Sequence, residues 1–160
     1  NRSSVKSLFI VLFFRASGPL AMHSNPLIRI FAAMACILYK LVVEFLMGVE
    51  LPDRIIAGPG LAVYHGVGLV VNAKTRLGKN VTLRQNTTIG SKQEGDPSPT
   101  FGDNVSVGAN CVIIGDIDIG ANSVIGVGAI LTKSCPEGSI VYGARAEIKA
   151  ICAGEDGENG

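Results

Sequence analysis

The sequence predicts a mainly β solenoid of three-faced coils preceded by a short helical region, on three observations. Large apolar residues recur at a step of six: Val71, Leu77, Leu83, Ile89, then Phe101, Val107, Ile113, Ile119, Ile125 and Leu131, with one doubled step between Ile89 and Phe101. Four places after them stand mostly small or β-branched residues: Thr75, Val81, Thr87, Val105, Cys111, Ile117, Ser123 and Ala129. Glycine follows many of the large residues, at 78, 90, 102, 108, 120 and 126. A helix cannot hold a period of six and a plain strand alternates by two, so the repeat marks a solenoid. Each six-residue unit is one short face. The large residue points inward, the small one fits beside it, and glycine is expected to ease the corner. Residues eighteen apart then stack, as Val71, Ile89, Val107 and Ile125.

Before the repeat the pattern is helical. The run LFIVLFF behind Arg2 and Lys6 has the shape of a minimal signal peptide, but Arg15 follows it directly and nothing downstream reads as a secreted disulfide domain. A helix over roughly 4–16 is the expectation, then a turn at Gly18-Pro19. A second helix is expected over 26–46, with Asn25 as N-cap, Pro26 at the first helical position and Gly48 as the stop. The stretch 27–47 is apolar enough to consider as a membrane span, but Arg29, Lys40 and Glu44 interrupt it. It reads instead as a helix buried against protein or lying on a membrane surface. The chain thus divides into a helical region 1–47, a β-helix 48–150 and a tail, 151–160, expected to be disordered. Within the β-helix, SKQEGDPSPT carries Pro97 and Pro99 and a glycine at the apolar position 95, so 91–100 should leave the coil as a protruding loop.

Composition excludes several classes. Lys and Arg total 14 against 13 Asp and Glu, so no basic surface asks for nucleic acid. The four cysteines form no CxxC pair and there are only two histidines, which argues against a structural zinc site and for a reduced, cytoplasmic setting. Cys111 takes a small inward position and reads as core, and His23 as a turn residue. His65 is different: it sits in the strand-like run GLAVYHGVGLVV with Gly66 and Gly68 after it.

The six-residue repeat, the YHG segment, the loop and the ending IGVGAILTKSCPEGSIVYG resemble the hexapeptide-repeat acyltransferases with a left-handed parallel β-helix. The nearer branch is that of the serine O-acetyltransferases and the acetyltransferases of colanic acid and capsule biosynthesis. The resemblance covers about residues 45 to 150. It implies a homotrimer, acetyl-CoA lying between neighbouring β-helices with no metal, and an acceptor at the same interface. It puts His65 on the family's catalytic histidine and Glu50 where serine acetyltransferases have an aspartate that orients it. It puts Ala109 and Val127 on backbone contacts to the pantetheine arm, and Thr132-Lys133 near the nucleotide end, with Lys149 a weaker choice for the same task.

The chemistry is consistent with that. An alcohol attacks a thioester well only when a base takes its proton, and imidazole suits that task at neutral pH. A carboxylate on the other ring nitrogen fixes the tautomer. The oxyanion needs a donor, expected from a backbone N–H near Gly90-Ser91, and Gly66 and Gly68 would leave room for acceptor and thioester. Against this, stepping back six from Val71 lands on 65, so an unbroken register would make His65 a core residue. Gly60 and Gly66 flank a first coil where the phase need not hold. Pairing Glu50 with His65 across fifteen residues also requires a shortened first turn.

The sequence departs from the serine enzymes at the end of the loop. Their Arg-His pair, associated with the amino acid carboxylate, is Pro97-Ser98 here, which leaves Lys92 or Arg84 as the candidates to stand in from elsewhere. The expected acceptor is therefore a neutral hydroxyl of a sugar or lipid-linked sugar in exo- or capsular polysaccharide biosynthesis, with the N-terminal helices resting against a membrane. Serine O-acetylation is the alternative, and a non-catalytic trimeric scaffold a remote one.

Overall fold

The computed structural model describes residues 10–12, 14–15, 26–53 and 55–144. Helix α1 runs Pro26–Tyr39 and continues without a break as a π-helical segment, Lys40–Leu46. Met47 N–H donates to the Val42 carbonyl, and Gly48, at φ +62°, ends the helix in the left-handed conformation that glycine tolerates. The expected span 26–46 is observed, but its last seven residues are wound more widely than an α-helix. No helix among the described residues is long and apolar enough to cross a membrane. The caps and turn expected at 18–25, and the tail, lie outside the described residues.

The remainder is a parallel β-helix with three faces. The first face stacks β1 (Val49–Glu50), β4 (Leu69–Val71), β7 (Thr88–Gly90), β10 (Val112–Ile114) and β13 (Ile130–Leu131). The second stacks β2 (Ile56–Ala57), β5 (Arg76–Leu77), β8 (Thr100–Phe101) and β11 (Asp118–Ile119). The third stacks β3 (Ala62–Tyr64), β6 (Thr82–Arg84), β9 (Ser106–Val107), β12 (Val124–Ile125) and β14 (Ile140–Val141). Every large residue of the six-step series is buried, and so is every small one, including Cys111 at 0% exposure. The core is thus the inside of the coil, and each buried aliphatic side chain contributes roughly 1.5–3 kcal/mol relative to exposure.

The register departs from a uniform eighteen in three places, of which the last is a coil two residues short, where Val124 pairs with Ile140. Val71 pairs with Ile89 and Ile113 with Leu131, but Ile89 pairs with Ile113 and not with Val107. Six extra residues are expelled here as the loop, so the stack passes over them. Val49 pairs with Leu69, which makes the first coil two residues longer than eighteen and not shorter.

The repeating glycines do not turn the corners. Asparagine does: Asn80, Asn86, Asn104, Asn110 and Asn122 all have φ between +53° and +58°. Asparagine is among the few residues with a side chain that visit this region readily. Three of them form a ladder, Asn80 Nδ2 donating to Asn104 Oδ1, Asn104 Nδ2 to Asn122 Oδ1, and Asn122 Nδ2 to Glu137 Oε1. The repeat glycines instead let coils approach. A Cβ on Gly78 would sit 2.6 Å from the Gly102 carbonyl of the next coil.

The helical region closes the open end of the prism. Ile10 and Phe14 are buried in its core, and Arg15 donates to the Ala57 and Gly58 carbonyls. Tyr39, 1% exposed, donates its hydroxyl to the Leu51 carbonyl at 2.6 Å, which ties α1 to the first coil. Asn104→Ala should destabilise by about 2–3 kcal/mol, adding left-handed strain to the lost ladder bonds. Asn104→Gly should cost only about 1 kcal/mol, since strain is absent. Urea unfolding of both variants checks the order.

Candidate functional site

The corner between the third and first faces is where the first coil carries its two extra residues. Tyr64 pairs with Arg84, and Gly68 lies against the Asn86 side chain of the coil above. Between those two points the second coil has Gln85 alone, whereas the first has His65, Gly66 and Val67. The backbone makes a tight turn there: Val67 N–H donates to the His65 carbonyl, and Leu69 N–H to Gly66 at 3.0 Å. Gly66 is driven inward. A Cβ on it would meet Val63 Cγ1 at 3.0 Å and Val49 Cγ2 at 3.1 Å. With Gly66 tucked into the core, His65 is turned out to solvent at φ +57°. A left-handed histidine is uncommon and is held only where the surroundings dictate it.

The unbroken register that would have made His65 a core residue does not hold, because Val63, at 0% exposure, takes the inward place. Gly66 does not clear space for substrate, because its space is filled by Val63, Val49 and Ile10; Gly68, at φ +71°, serves the turn.

Glu50 is exposed on the first face, one residue after Val49. No hydrogen bond or ion pair joins it to His65. It faces a cleft of about 470 Å³ lined also by Lys40, Leu41, Glu44, Phe45, Pro52 and Val71. Burial holds the Glu44 carboxyl above its ordinary range; Glu50 and Asp53 push the same way, and Lys40 opposes them.

Ala109 and Val127 lie on the same edge as His65. Asn86 N–H donates to the Val67 carbonyl, Asn110 N–H to Gln85 and Gly128 N–H to Ala109, so the corners rise one above another at the spacing of a parallel ladder. Val127 is 67% exposed, whereas Ala109 is buried. Ser91 is half-buried at the base of the loop, and Thr132 and Lys133 are exposed beyond β13. These three stand on the edge between the first and second faces, so one copy of the chain does not bring them to His65. Lys149 lies outside the described residues.

The extra residues leave the coil between β7 and β8, and neither Lys92 nor Arg84 lines the cavity beside them. Arg84 donates to the Val107 carbonyl and lies over the Tyr64 ring, and Lys92 packs along Gly115. Lys74 instead donates to the Gly95 and Asp96 carbonyls, in a second cavity with Arg76 and Ser98. The sequence reading missed Lys74, which precedes the loop by a full coil. It also missed the cleft beside Glu50, although the charges at 40 and 44, one turn apart near the helix end, were a signal for it. No group of three His, Cys, Asp or Glu able to hold a metal occurs among the described residues.

The family model for bacterial transferase hexapeptide repeats matches residues 98–133. WcaB of Escherichia coli (strain K12), named for colanic acid biosynthesis acetyltransfer, is 30% identical over 154 residues, covering 94% of this chain and 95% of that protein. The serine acetyltransferase of Staphylococcus xylosus is 36% identical over 109 residues, 67% of this chain and 50% of its own. Among solved structures, serine acetyltransferase from Neisseria gonorrhoeae in complex with serine has a TM-score of 0.69 at 28% identity, over 89% of this chain and 56% of that one. Isoform 3 from Entamoeba histolytica, at TM-score 0.75 and 23% identity over 92% of this chain and 51% of that one, shares the fold. The chain therefore spans about half the length of the serine acetyltransferase structures it matches, but nearly all of WcaB.

Glu44 gives a pH prediction. A carboxyl whose folded pKa is raised binds its proton more tightly in the folded state, so stability is lost as pH climbs from about 4.5 through the raised value. Glu44→Gln should remove that loss, leaving the variant more stable than the parent at pH 7 and equal to it at pH 4. Thermal melts across that range test it.

Proposed function

The chain belongs to the hexapeptide-repeat acetyltransferases, and from that premise we propose that it moves acetyl from acetyl-CoA to a hydroxyl of a sugar or lipid-linked sugar. The pathway is exo- or capsular polysaccharide biosynthesis, and His65 is the general base. The observation that carries the reading is the everted corner: two extra residues and a buried glycine expose one imidazole on the edge that also bears Ala109 and Val127.

In this reading His65 takes the proton of the acceptor hydroxyl as its oxygen attacks the thioester carbonyl. The tetrahedral intermediate collapses with loss of the CoA thiolate, which recovers the proton from the imidazolium. The products are an O-acetyl ester and CoA thiol. Glu50 steadies the imidazolium. The N–H groups of Ala109 and Val127, which bond no described residue, serve the pantetheine arm. Ser91 supplies the oxyanion donor, and Thr132, Lys133 and Lys149 meet the nucleotide phosphates. Since Ser91, Thr132 and Lys133 stand on the edge away from His65, the complete site needs a neighbouring copy, in keeping with a homotrimer.

Two features favour a sugar over L-serine. WcaB is matched along nearly its whole length, and the loop's own end, Pro97-Ser98, carries no cation. Lys74 beside the loop is the feature that favours the serine alternative.

The exposed face of α1 and its π-helical extension bears Leu27, Phe31, Met34, Leu38, Leu41 and Phe45, each at least 51% exposed. Residues before 48 include five Lys or Arg and one Glu. Both features suit an anionic lipid surface, where a lipid-linked acceptor would reside.

His65→Asn tests the base without disturbing the corner, since asparagine accepts the left-handed conformation. The expected result is a ~100- to 10,000-fold loss of kcat with an unchanged melting temperature. Unaltered turnover would remove His65 from the chemistry. Thiol release with acetyl-CoA, against L-serine and a panel of nucleotide- and lipid-linked sugars, separates the two acceptors, and faster turnover on serine would reverse the choice. Phe31→Glu should abolish sedimentation with phosphatidylglycerol vesicles; binding equal to the parent's would count against the membrane contact.

A further inference from the structure

The widened end of the long helix and the first face of the β-helix line a cleft of which the reaction above uses Glu50 alone. Lys40, Leu41, Glu44 and Phe45 all belong to the π-helical segment and face Glu50 and Pro52 of the first coil. We infer that this cleft is the acceptor subsite, in which the sugar ring stacks on Phe45 and donates hydroxyl hydrogen bonds to Glu44 and Glu50. The inference rests on the sugar acetyltransferase reading and names the residues that would select the acceptor.

Four observations lead there. The cleft, about 470 Å³, lies within the usual range for small-ligand sites and can take a monosaccharide. Its chemistry is mixed in the way a pyranose is. Ionised carboxylates only accept hydrogen bonds, and a sugar ring offers several hydroxyl donors. The electron-rich face of an aromatic ring complements the C–H face of the sugar. Phe45, 87% exposed, has no core role, and Leu41 beside it is 57% exposed. The third observation is the helix itself: π-helical turns are rare and frequent at functional sites, and all four helix residues of the cleft lie in this one.

The fourth is position. Val49, the residue before Glu50, is one of the side chains Gly66 packs against, and Gly66 follows His65. Glu50 and the everted corner are thus supported by the same contact. Charge narrows the ligand class. Lys40, Glu44 and Glu50 sum to a negative cleft, which disfavours a phosphate or uronate within it. L-Serine would find counter-charges here, but its small frame would leave Leu41 and Phe45 uncovered.

Two readouts test the inference. Saturation-transfer NMR with methyl glycosides of neutral hexoses, without acetyl-CoA, should show binding that Phe45→Ala and Glu44→Gln each weaken at least 10-fold, with Phe45→Tyr restoring it. In steady state the same variants should raise KM for the sugar acceptor by a similar factor while leaving KM for acetyl-CoA unchanged. Phe45 is on the surface, so its variants should fold. Glycoside binding and KM equal to the parent's in both variants would overturn the subsite while sugar transfer itself persisted. L-Serine displacing the glycoside and being acetylated in preference to every sugar would overturn the underlying reading as well. His65→Asn should keep glycoside binding and lose transfer, which separates the subsite from the base.

Discussion

The parallel ladder between coils governs this molecule. Each strand bonds to the strand one coil above and one coil below, so every face must return after a fixed number of residues or its inward side chains lose their stack. Eighteen residues satisfy this between Val71 and Ile89 and between Ile113 and Leu131. A coil with more has no place for the excess except a corner, because corners alone lie outside the hydrogen-bonded strands. The first coil expels two residues and the third expels six, and these are the His65 corner and the loop. What distinguishes this prism from a featureless rod is therefore confined to its edges by the same rule that makes the rod.

That rule also explains what could be read in the sequence. The six-step series from Val71 to Leu131 is a direct image of the inward positions, because no other residue class packs there. The loop was legible because prolines and a glycine stand where strand residues are needed. The length of the first coil was not, since its inward residues keep the step of six among themselves, Val49 to Ile55 to Leu61 and Leu51 to Ala57 to Val63, and only the step of eight from Val63 to Val71 carries the two extra residues. The two kinds of corner residue were also hard to separate. Asparagine and glycine share a taste for turns, but here Asn104 bends the chain while Gly78 merely makes room for the coil above. Only the packing between coils tells these roles apart.

The proposed residues divide between two edges of the first face. His65, Ala109 and Val127 follow one edge; Ser91, Thr132 and Lys133 follow the other. The strands of that face are only two or three residues long, yet they hold the two sets apart in any single copy. A base on one edge and an oxyanion donor on the other can share a thioester only if two prisms stand side by side with unlike edges facing. A contact of that sort is heterologous and closes when a rotation returns it to the start, as in a threefold ring. Spacing within the sequence could never reveal such a site.

The helical region completes the argument because it gives the first face a second wall. Tyr39 and Val43 anchor it against the coil, and Ile10 and Phe14 plug the prism's open end. The stripe from Leu27 to Phe45 then remains outside, too apolar to be an ordinary solvated face. Its lower end opens into the cleft beside Glu50, so a greasy helix face leads into a carboxylate-lined hollow. A ligand with an apolar tail and a hydroxylated head matches those two environments in order. A small zwitterion matches only the hollow. With His65 as the proposed base, the coil would position the chemistry and leave the choice of acceptor to the helix packed against it, in keeping with one rigid repeat serving several substrates.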